Sequence, residues 1–264
     1  MPAFYTHYLI AEHAMQHLDE KQKTLIQPFL PLYFFGAQGA DFCFFYQFYN
    51  LKTPNFGSFL HRKGAFNSFS VLRLFSMTST PIKAYALGYI THYASDCVFH
   101  PFVYSIAGKS PVFHNRLEYA LDAYLKTHYP QNPLYEKFLK PTLKEQYKKE
   151  LFYAYAAIAA KCGFPSLVYS NFSRSISMFN SYLPVPNALF KRKNNALVKT
   201  AANEEKAPWS PPSTPNEMHC ESAKELFSLA LLKSNYLMDE FLFSVKNKTP
   251  LAHSLFSKSF LTGI

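Results

Sequence analysis

Histidine and carboxylate residues recur at helical spacing in one apolar part of the chain. His92 is followed four residues later by Asp96, and His114 is followed four residues later by Glu118. On an α-helix, side chains at this spacing lie on one face about one turn apart. Imidazole nitrogens and carboxylate oxygens are ligands that zinc and similar divalent ions accept. Both pairs, with His100 between them, offer more ligands than one tetrahedral ion uses and therefore indicate a cluster of metal ions.

The alternative interpretation of one such pair is an ion pair or the polar face of a helix. The first pair, however, lies in strongly apolar sequence, where an unpaired buried charge costs about several kcal/mol. Buried His and Asp must be paired or ligated, so the context favours a metal site. The apolar neighbours are Tyr85, Leu87, Tyr89, Ile90, Tyr93, Val98 and Phe99.

Composition predicts a helical protein with a large core. The chain has 264 residues, of which 48% are hydrophobic and 18% aromatic, enough for one large domain or two small ones. Its 8 glycines are few, which argues against a glycine-rich nucleotide-binding fold. The 4 cysteines form no CxxC motif, so neither a zinc ribbon nor a dense disulfide framework is indicated.

The termini and the apolar segments indicate a cytoplasmic protein. The first residues have neither a basic region nor a long apolar run, so no secretory signal is expected. The stretch from Pro28 to Tyr46 is long enough to resemble a membrane span. Prolines, glycines and Asp41 interrupt it, and a charge at the centre of a bilayer is costly, so we predict buried core.

The net charge of +10 comes largely from lysines, which cluster in residues 137–149 and 191–206. Such clusters favour anionic partners, for example a lipid surface or a nucleic acid. A solvated surface with no partner is an equally good interpretation.

The pattern predicts helices in the first half of the chain. A first helix is expected over residues 5–20, with Thr6 as its N-cap and His7 on a face with small residues. Another is expected over 65–78, and a third from Pro81 to about Phe99. This third helix should end there because Pro101 disfavours helical geometry at the preceding residue. A further helix should carry His114 and run to His128.

The remaining elements complete an all-α prediction. Asp41 lies in apolar sequence, and His61 lies in a polar patch, residues 60–64, interpreted as a loop. Helices are predicted at about 143–162, 166–183 and 218–246, with a long loop at about 186–217. Trp209, in this loop, is expected to be a hydrophobic anchor rather than a lid over the site.

In chain order, these residues resemble the motifs of the zinc-dependent phospholipase C family, whose fold is shared with single-strand-specific zinc nucleases. The resemblance covers roughly residues 1–128. It rests on the histidine of Thr-His-Tyr-Leu-Ile, the aspartate of Gly-Ala-Asp, a later histidine, an HxxxD motif with His-Pro, and an HxxxE motif. The matching residues are His7, Asp41, His61, His92, Asp96, His100, His114 and Glu118.

The resemblance implies one all-α domain over residues 1–264, a multi-helix bundle with two or three zinc ions inside. One ion would be bound by Asp41, His61, His92 and Asp96, and a second by His100, His114 and Glu118. A third would be bound by His7, Asp96 and the N-terminal residue. The relatives use an N-terminal Trp, whereas removal of Met1 would expose Pro2 here, so the proline amine is the expected ligand.

The implied activity is hydrolysis of a phospholipid, at a membrane surface, to diacylglycerol and a phosphorylated headgroup. Clustered zinc ions suit phosphate-ester hydrolysis, and Asp41 is the candidate that orients or deprotonates the attacking water. Phe56, Phe59 and Phe66 are expected in the core, although they could flank the mouth of the site. Two alternatives stay open: a single-strand nuclease or phosphatase with the same metals, and a zinc-stabilised binding protein without catalysis.

Overall fold

The computed structural model describes residues 4–49, 54–129, 137–138, 140, 142–182 and 195–264. In these ranges the fold is all-α, as predicted, and β pairing is limited to a bridge between Trp209 and His219. The helices are α1 (Phe4–His17), α2 (Glu20–Ile26), α3 (Leu30–Gly36), α4 (Phe56–Lys63), α5 (Ala65–Ser76), α6 (Thr80–Ala107), α7 (Pro111–His128), α8 (Glu145–Lys161), α9 (Tyr169–Tyr182), α10 (Asn195–Ala202), α11 (Ala223–Asn247) and α12 (His253–Phe256), with short 3-10 helices at Gln27–Phe29 and Asp41–Phe45.

Helix α6 is the centre of the fold, and α1, α3, α5 and α11 pack around it. It is buried on nearly every side, which explains why apolar residues fill most of its length. Its start follows the sequence signals, since Ser79 Oγ accepts a hydrogen bond from the Ile82 amide and Pro81 occupies the first turn. Within the described ranges, every helix is too short or too polar to cross a membrane.

The prediction that α6 ends near Phe99 is wrong, because the helix continues through Pro101 to Ala107. A proline removes one helical hydrogen bond and normally bends or ends a helix. Here the C-terminal segment packs on that turn: a Cβ added to Gly263 would lie 2.5 Å from the Cys97 carbonyl oxygen. The continuous helix places His92, Asp96 and His100 on successive turns of one face.

Helix α3 approaches α6 so closely that only glycine fits between the backbones. A Cβ on Gly88 would lie 1.9 Å from the Tyr33 carbonyl oxygen, and one on Gly36 would lie 2.1 Å from the Tyr85 carbonyl oxygen. This approach brings the chain after α3, which carries Asp41, against the face of α6 that carries His92.

Two further predictions need correction. Phe4 and Tyr5 already belong to the first helix, so Thr6 is inside it rather than at its N-cap. The predicted loop over residues 186–217 contains α10, because an alanine-rich segment of good helix formers packs against α7. The first part of that loop lies outside the described residues. Trp209 is buried and its ring stacks on His219, which agrees with the predicted role of a hydrophobic anchor for this segment.

Candidate metal centre

The centre is built on one face of α6, where His92, Asp96 and His100 are all buried. Two other segments from the N-terminal half reach this face. Helix α1 carries His7, and the 3-10 helix Asp41–Phe45 begins with Asp41. The HxxxD spacing therefore places its two side chains on one helical face, as predicted, and the surrounding helices exclude water from both.

Asp96 lies between two histidines. His7 Nε2 is 3.3 Å from one carboxylate oxygen, and His92 Nε2 is 3.3 Å from the other. A carboxylate with a separate imidazole on each oxygen can bridge two ions. The three residues offer donor atoms that lie within 4.8 Å of one another.

A second donor set joins Asp41, His61 and His92. His61 Nε2 lies 3.0 Å from Asp41 Oδ1, and His92 Nε2 lies 3.7 Å from the same oxygen. The predicted loop around His61 is wrong, because this residue is buried in α4, whose N-cap Asn55 accepts a hydrogen bond from the Ser58 amide. The polar residues 61–63 are typical of a loop, but here they form the last turn of α4.

The third donor set lies between α6 and α7. His114 Nε2 is 2.7 Å from Glu118 Oε1, and His100 Nε2 is 3.5 Å from the same oxygen. The three side chains are buried and share one small volume. His100 Nδ1 also lies 3.9 Å from Asp96 Oδ2, so the eight candidates among the described residues converge in space. The ninth, Pro2, lies outside the described residues.

Most of the distances between these donor atoms suit shared metal ions better than direct hydrogen bonds. A tetrahedral zinc with bonds of about 2.0–2.1 Å holds its ligand atoms about 3.3 Å apart, and most of the separations given above are close to that value. The 2.7 Å between His114 Nε2 and Glu118 Oε1 is shorter and also suits a hydrogen bond. Several of these atoms are buried yet have no hydrogen-bond partner among the described residues, which is costly unless another group satisfies them. They are His7 Nε2, Asp41 Oδ1, His61 Nε2, His92 Nε2, Asp96 Oδ1 and Asp96 Oδ2.

Two of the imidazoles are held by backbone carbonyls. His61 Nδ1 lies 2.8 Å from the Gly57 carbonyl oxygen, and His100 Nδ1 lies 2.8 Å from the Phe260 carbonyl oxygen. A ring that donates from Nδ1 leaves Nε2 without a proton and available to a metal. The second contact makes the C-terminal segment part of the support of the centre, a role that no sequence motif indicates.

The protonation states of His92, Asp41 and Glu118 also suit metal binding. Burial lowers the pKa of His92 to about 3, so the ring is neutral at physiological pH. Although burial opposes ionisation, His92 and His61 keep the pKa of Asp41 below its ordinary value. Burial likewise opposes ionisation of Glu118, yet its histidine neighbours contribute to a pKa of about 2. Neutral imidazoles and ionised carboxylates are the forms that bind zinc.

Gly39 allows His92 to occupy its position. The residue has a φ of +59°, a left-handed conformation that glycine adopts without strain. A Cβ at this position would lie 2.0 Å from His92 Cδ2. The glycine of the Gly-Ala-Asp motif therefore makes room for the imidazole beside Asp41.

Asp122 is a supporting residue that the sequence analysis missed. It is buried, and its carboxylate accepts hydrogen bonds of 2.8 Å from the amides of Tyr5 and Thr6 and of 2.6 Å from Thr6 Oγ. Burial raises its pKa to about 7, against these three donors, which lower it. The carboxylate fixes the start of α1 just before His7. Its position four residues after Glu118 on α7 was the available signal.

An open cleft of about 360 Å³ adjoins the centre and reaches His61, His100 and His114. Phe56, Phe59 and Phe66 do not line it: the first two pack against Phe164 and Phe66 packs against His253, so the expected core position is the correct one. The other lining residues are Phe44, Ser58, Arg62, Tyr104, Gly108, Lys109, Ser110, Pro111, Asn115 and Leu261.

Comparison with protein families identifies the class. The family model for zinc-dependent phospholipase C matches residues 6–161, which is more than half of the chain and extends beyond the predicted region of resemblance. The chain belongs to the zinc-dependent phospholipase C family. No curated protein and no solved structure matches it. The family implies zinc as the metal and a hydrolase of phospholipase type.

Proposed function

We propose that this protein hydrolyses a phospholipid at the phosphodiester bond next to glycerol, releasing diacylglycerol and a phosphorylated headgroup, and that residues 1–264 form one domain. The observation that carries the proposal is the set of buried donor atoms without hydrogen-bond partners beside an open cleft. A structural ion pair would satisfy such atoms internally, whereas a metal centre leaves them directed at the ions.

The proposed ligands divide into two regions. His7, Asp41, His61, His92 and Asp96 form the larger one, and His100, His114 and Glu118 form the smaller one. Together they suit two or three zinc ions, with the Pro2 amine as a further proposed ligand. When bound, zinc supplies a Lewis acid that polarises phosphoryl oxygens and allows water to act as a nucleophile near neutral pH.

Asp41 is the proposed catalytic carboxylate. Its lowered pKa makes it a weak proton acceptor, so its expected contribution is to orient the attacking water rather than to hold its proton. The carboxylate lies behind His61, which lines the cleft, and its Oδ1 is 3.0 Å from His61 Nε2. Replacing Asp41 should therefore affect both metal binding and turnover.

The rim of the cleft supports a lipid substrate. Val112, next to the lining residue Pro111, leaves 70% of its surface exposed. The segment that carries the lining residue Phe44 continues to the exposed aromatic residues Phe48 and Tyr49. Apolar side chains near a cleft that admits a charged headgroup suit a lipid–water boundary, where one end of the substrate is apolar.

The test pairs elemental analysis with a hydrolysis assay. Purified protein should contain zinc, and it should release diacylglycerol from phospholipid vesicles in a reaction that a chelator stops and added zinc restores. Single-stranded DNA is the second substrate. Chelator-sensitive cleavage of DNA without turnover of lipid would favour the nuclease alternative. Zinc that raises the melting temperature without turnover of either substrate would favour a binding protein.

A further inference from the structure

The cleft beside the metal centre has a strongly one-sided charge. Besides the metal-ligand histidines, its lining includes Arg62 and Lys109, and the lining residues include no aspartate or glutamate. Both cations are exposed, and neither takes part in an ion pair with any residue in the described part of the chain. The walls therefore hold two positive charges without a compensating carboxylate.

The scissile phosphate does not account for these cations. In the proposed function, even two divalent ions outweigh the charge of the carboxylate ligands Asp41, Asp96 and Glu118, so the metals already balance a phosphodiester. Arg62 follows His61 on α4, and Lys109 lies just before α7. They flank the cleft from two elements, which suits a second anionic group on the same substrate.

The aromatic residues that line the cleft, Phe44 and Tyr104, pack against histidines of the metal centre. Phe44 packs against His61 at 4.8 Å between ring centroids, and Tyr104 packs against His114 at 4.7 Å. Each of these two rings is therefore in contact with an imidazole of the metal centre. A cationic headgroup would also meet repulsion from Arg62 and Lys109, with no carboxylate in the lining to offset it.

We propose that Arg62 and Lys109 select phospholipids whose headgroup carries an anionic group in addition to the scissile phosphate. This inference rests on the proposed function and names its substrate class. The cleft volume of about 360 Å³ lies in the range of pockets that hold small ligands, so it can admit a headgroup while the acyl chains stay outside.

The test uses short-chain lipids at concentrations where they are monomeric, which separates recognition of the headgroup from attraction to a charged surface. The probes are phosphatidylinositol 4-phosphate, phosphatidylglycerol and phosphatidylcholine. The zinc-loaded protein should show kcat/KM values that fall in that order. Arg62→Gln and Lys109→Gln should each reduce the ratio of kcat/KM for the first lipid over the last by about fivefold, as expected for a partly exposed charge pair.

Lys63→Gln is the matched control, because Lys63 is an exposed cation on the same helix that does not line the cleft. It should leave the ratio unchanged, and all variants should keep the zinc content of the parent. The preference should also weaken as salt is added. A ratio that Arg62→Gln and Lys109→Gln leave unchanged would overturn the inference, as would a preference for phosphatidylcholine.

The outcomes separate this inference from the proposed function. Hydrolysis of all three lipids without an anionic preference would remove the inference and keep the phospholipase. Failure to hydrolyse any of them would remove both. Cleavage of single-stranded DNA that depends on Arg62 and Lys109, without lipid turnover, would assign the two cations to a nucleic acid and contradict the proposal.

Discussion

Replacement of Gly39 by alanine should disrupt the metal centre without changing any ligand. The added Cβ would lie 2.0 Å from His92 Cδ2 and 2.4 Å from His92 Nε2, so the imidazole must move. The left-handed backbone adds a strain of about 1–2 kcal/mol for any residue with a Cβ. Overpacking in a buried site adds about 1–3 kcal/mol.

The chain offers a control for the backbone part of this cost. Gly163 has a φ of +66°, and a Cβ on it would meet nothing within 4 Å. Gly163→Ala should therefore lose about 1–2 kcal/mol of unfolding free energy and no zinc. Gly39→Ala should lose about 1–3 kcal/mol more and bind zinc about 10–100-fold more weakly, because His92 is displaced.

The assay has two parts. Urea unfolding of both variants with a chelator present gives the steric cost, and competition with a chelator of known affinity gives the zinc affinity. If the variants lose equal stability and equal zinc affinity, Gly39 does not make room for His92 and the arrangement described for this region is wrong.

Three further predictions follow from the same geometry. Asp96→Ala should remove more zinc per chain than His114→Ala, because Asp96 faces a histidine with each of its oxygens whereas the His114 imidazole faces a single carboxylate, that of Glu118. Metal analysis of both variants gives the numbers. Acidification from neutral pH should release zinc first from the set of His100, His114 and Glu118. Burial lowers the pKa of His100, but Asp96 and Glu118 raise it above its ordinary value. Protons therefore compete with zinc for His100 at a higher pH than for an ordinary histidine. Zinc content measured stepwise between about pH 7 and 5 shows this order. Asp122→Ala should lower the unfolding free energy by about 2 kcal/mol, because two amides and a hydroxyl lose their acceptor. The control is Asp239→Ala, which removes an exposed ion pair with His17 and should cost less than about 1 kcal/mol.

Each of these predictions has a result that contradicts it. Equal zinc loss from Asp96→Ala and His114→Ala would show that Asp96 does not bridge. The acid titration is repeated with His114→Ala, which disrupts the set of His100, His114 and Glu118. If this variant loses zinc at the same pH steps as the parent, the first zinc released comes from a different donor set. Equal stability of Asp122→Ala and Asp239→Ala would mean that the carboxylate does not hold α1.

The sequence was sufficient for the helical class and for part of the candidate site, because these depend on local spacing. Helical periodicity predicted α5, α7, α8 and α9 to within a few residues, and i,i+4 pairs placed His92 with Asp96 and His114 with Glu118. His7, Asp41 and His61 were added in chain order by resemblance, and the fold brings them to the same place.

The features that the sequence did not reveal depend on contacts between distant segments. Helix α6 continues through Pro101, and the C-terminal residues pack on that turn, a contact between segments far apart in the sequence. Asp122 acts on the start of α1 from α7, across more than a hundred residues of chain. Arg62 and Lys109 were ordinary surface cations in the sequence, and only the tertiary structure places both at one cleft.

Anomalous X-ray diffraction at the zinc absorption edge, on crystals of purified protein, locates bound zinc ions and their ligands directly. We expect two or three strong peaks, one among His100, His114 and Glu118 and the others around His92 and Asp96, at about 2.0–2.2 Å from nitrogen and oxygen donors. Crystals grown with zinc that show no peak in this region, with the imidazoles and carboxylates hydrogen-bonded to one another, would show that these residues do not form a metal centre.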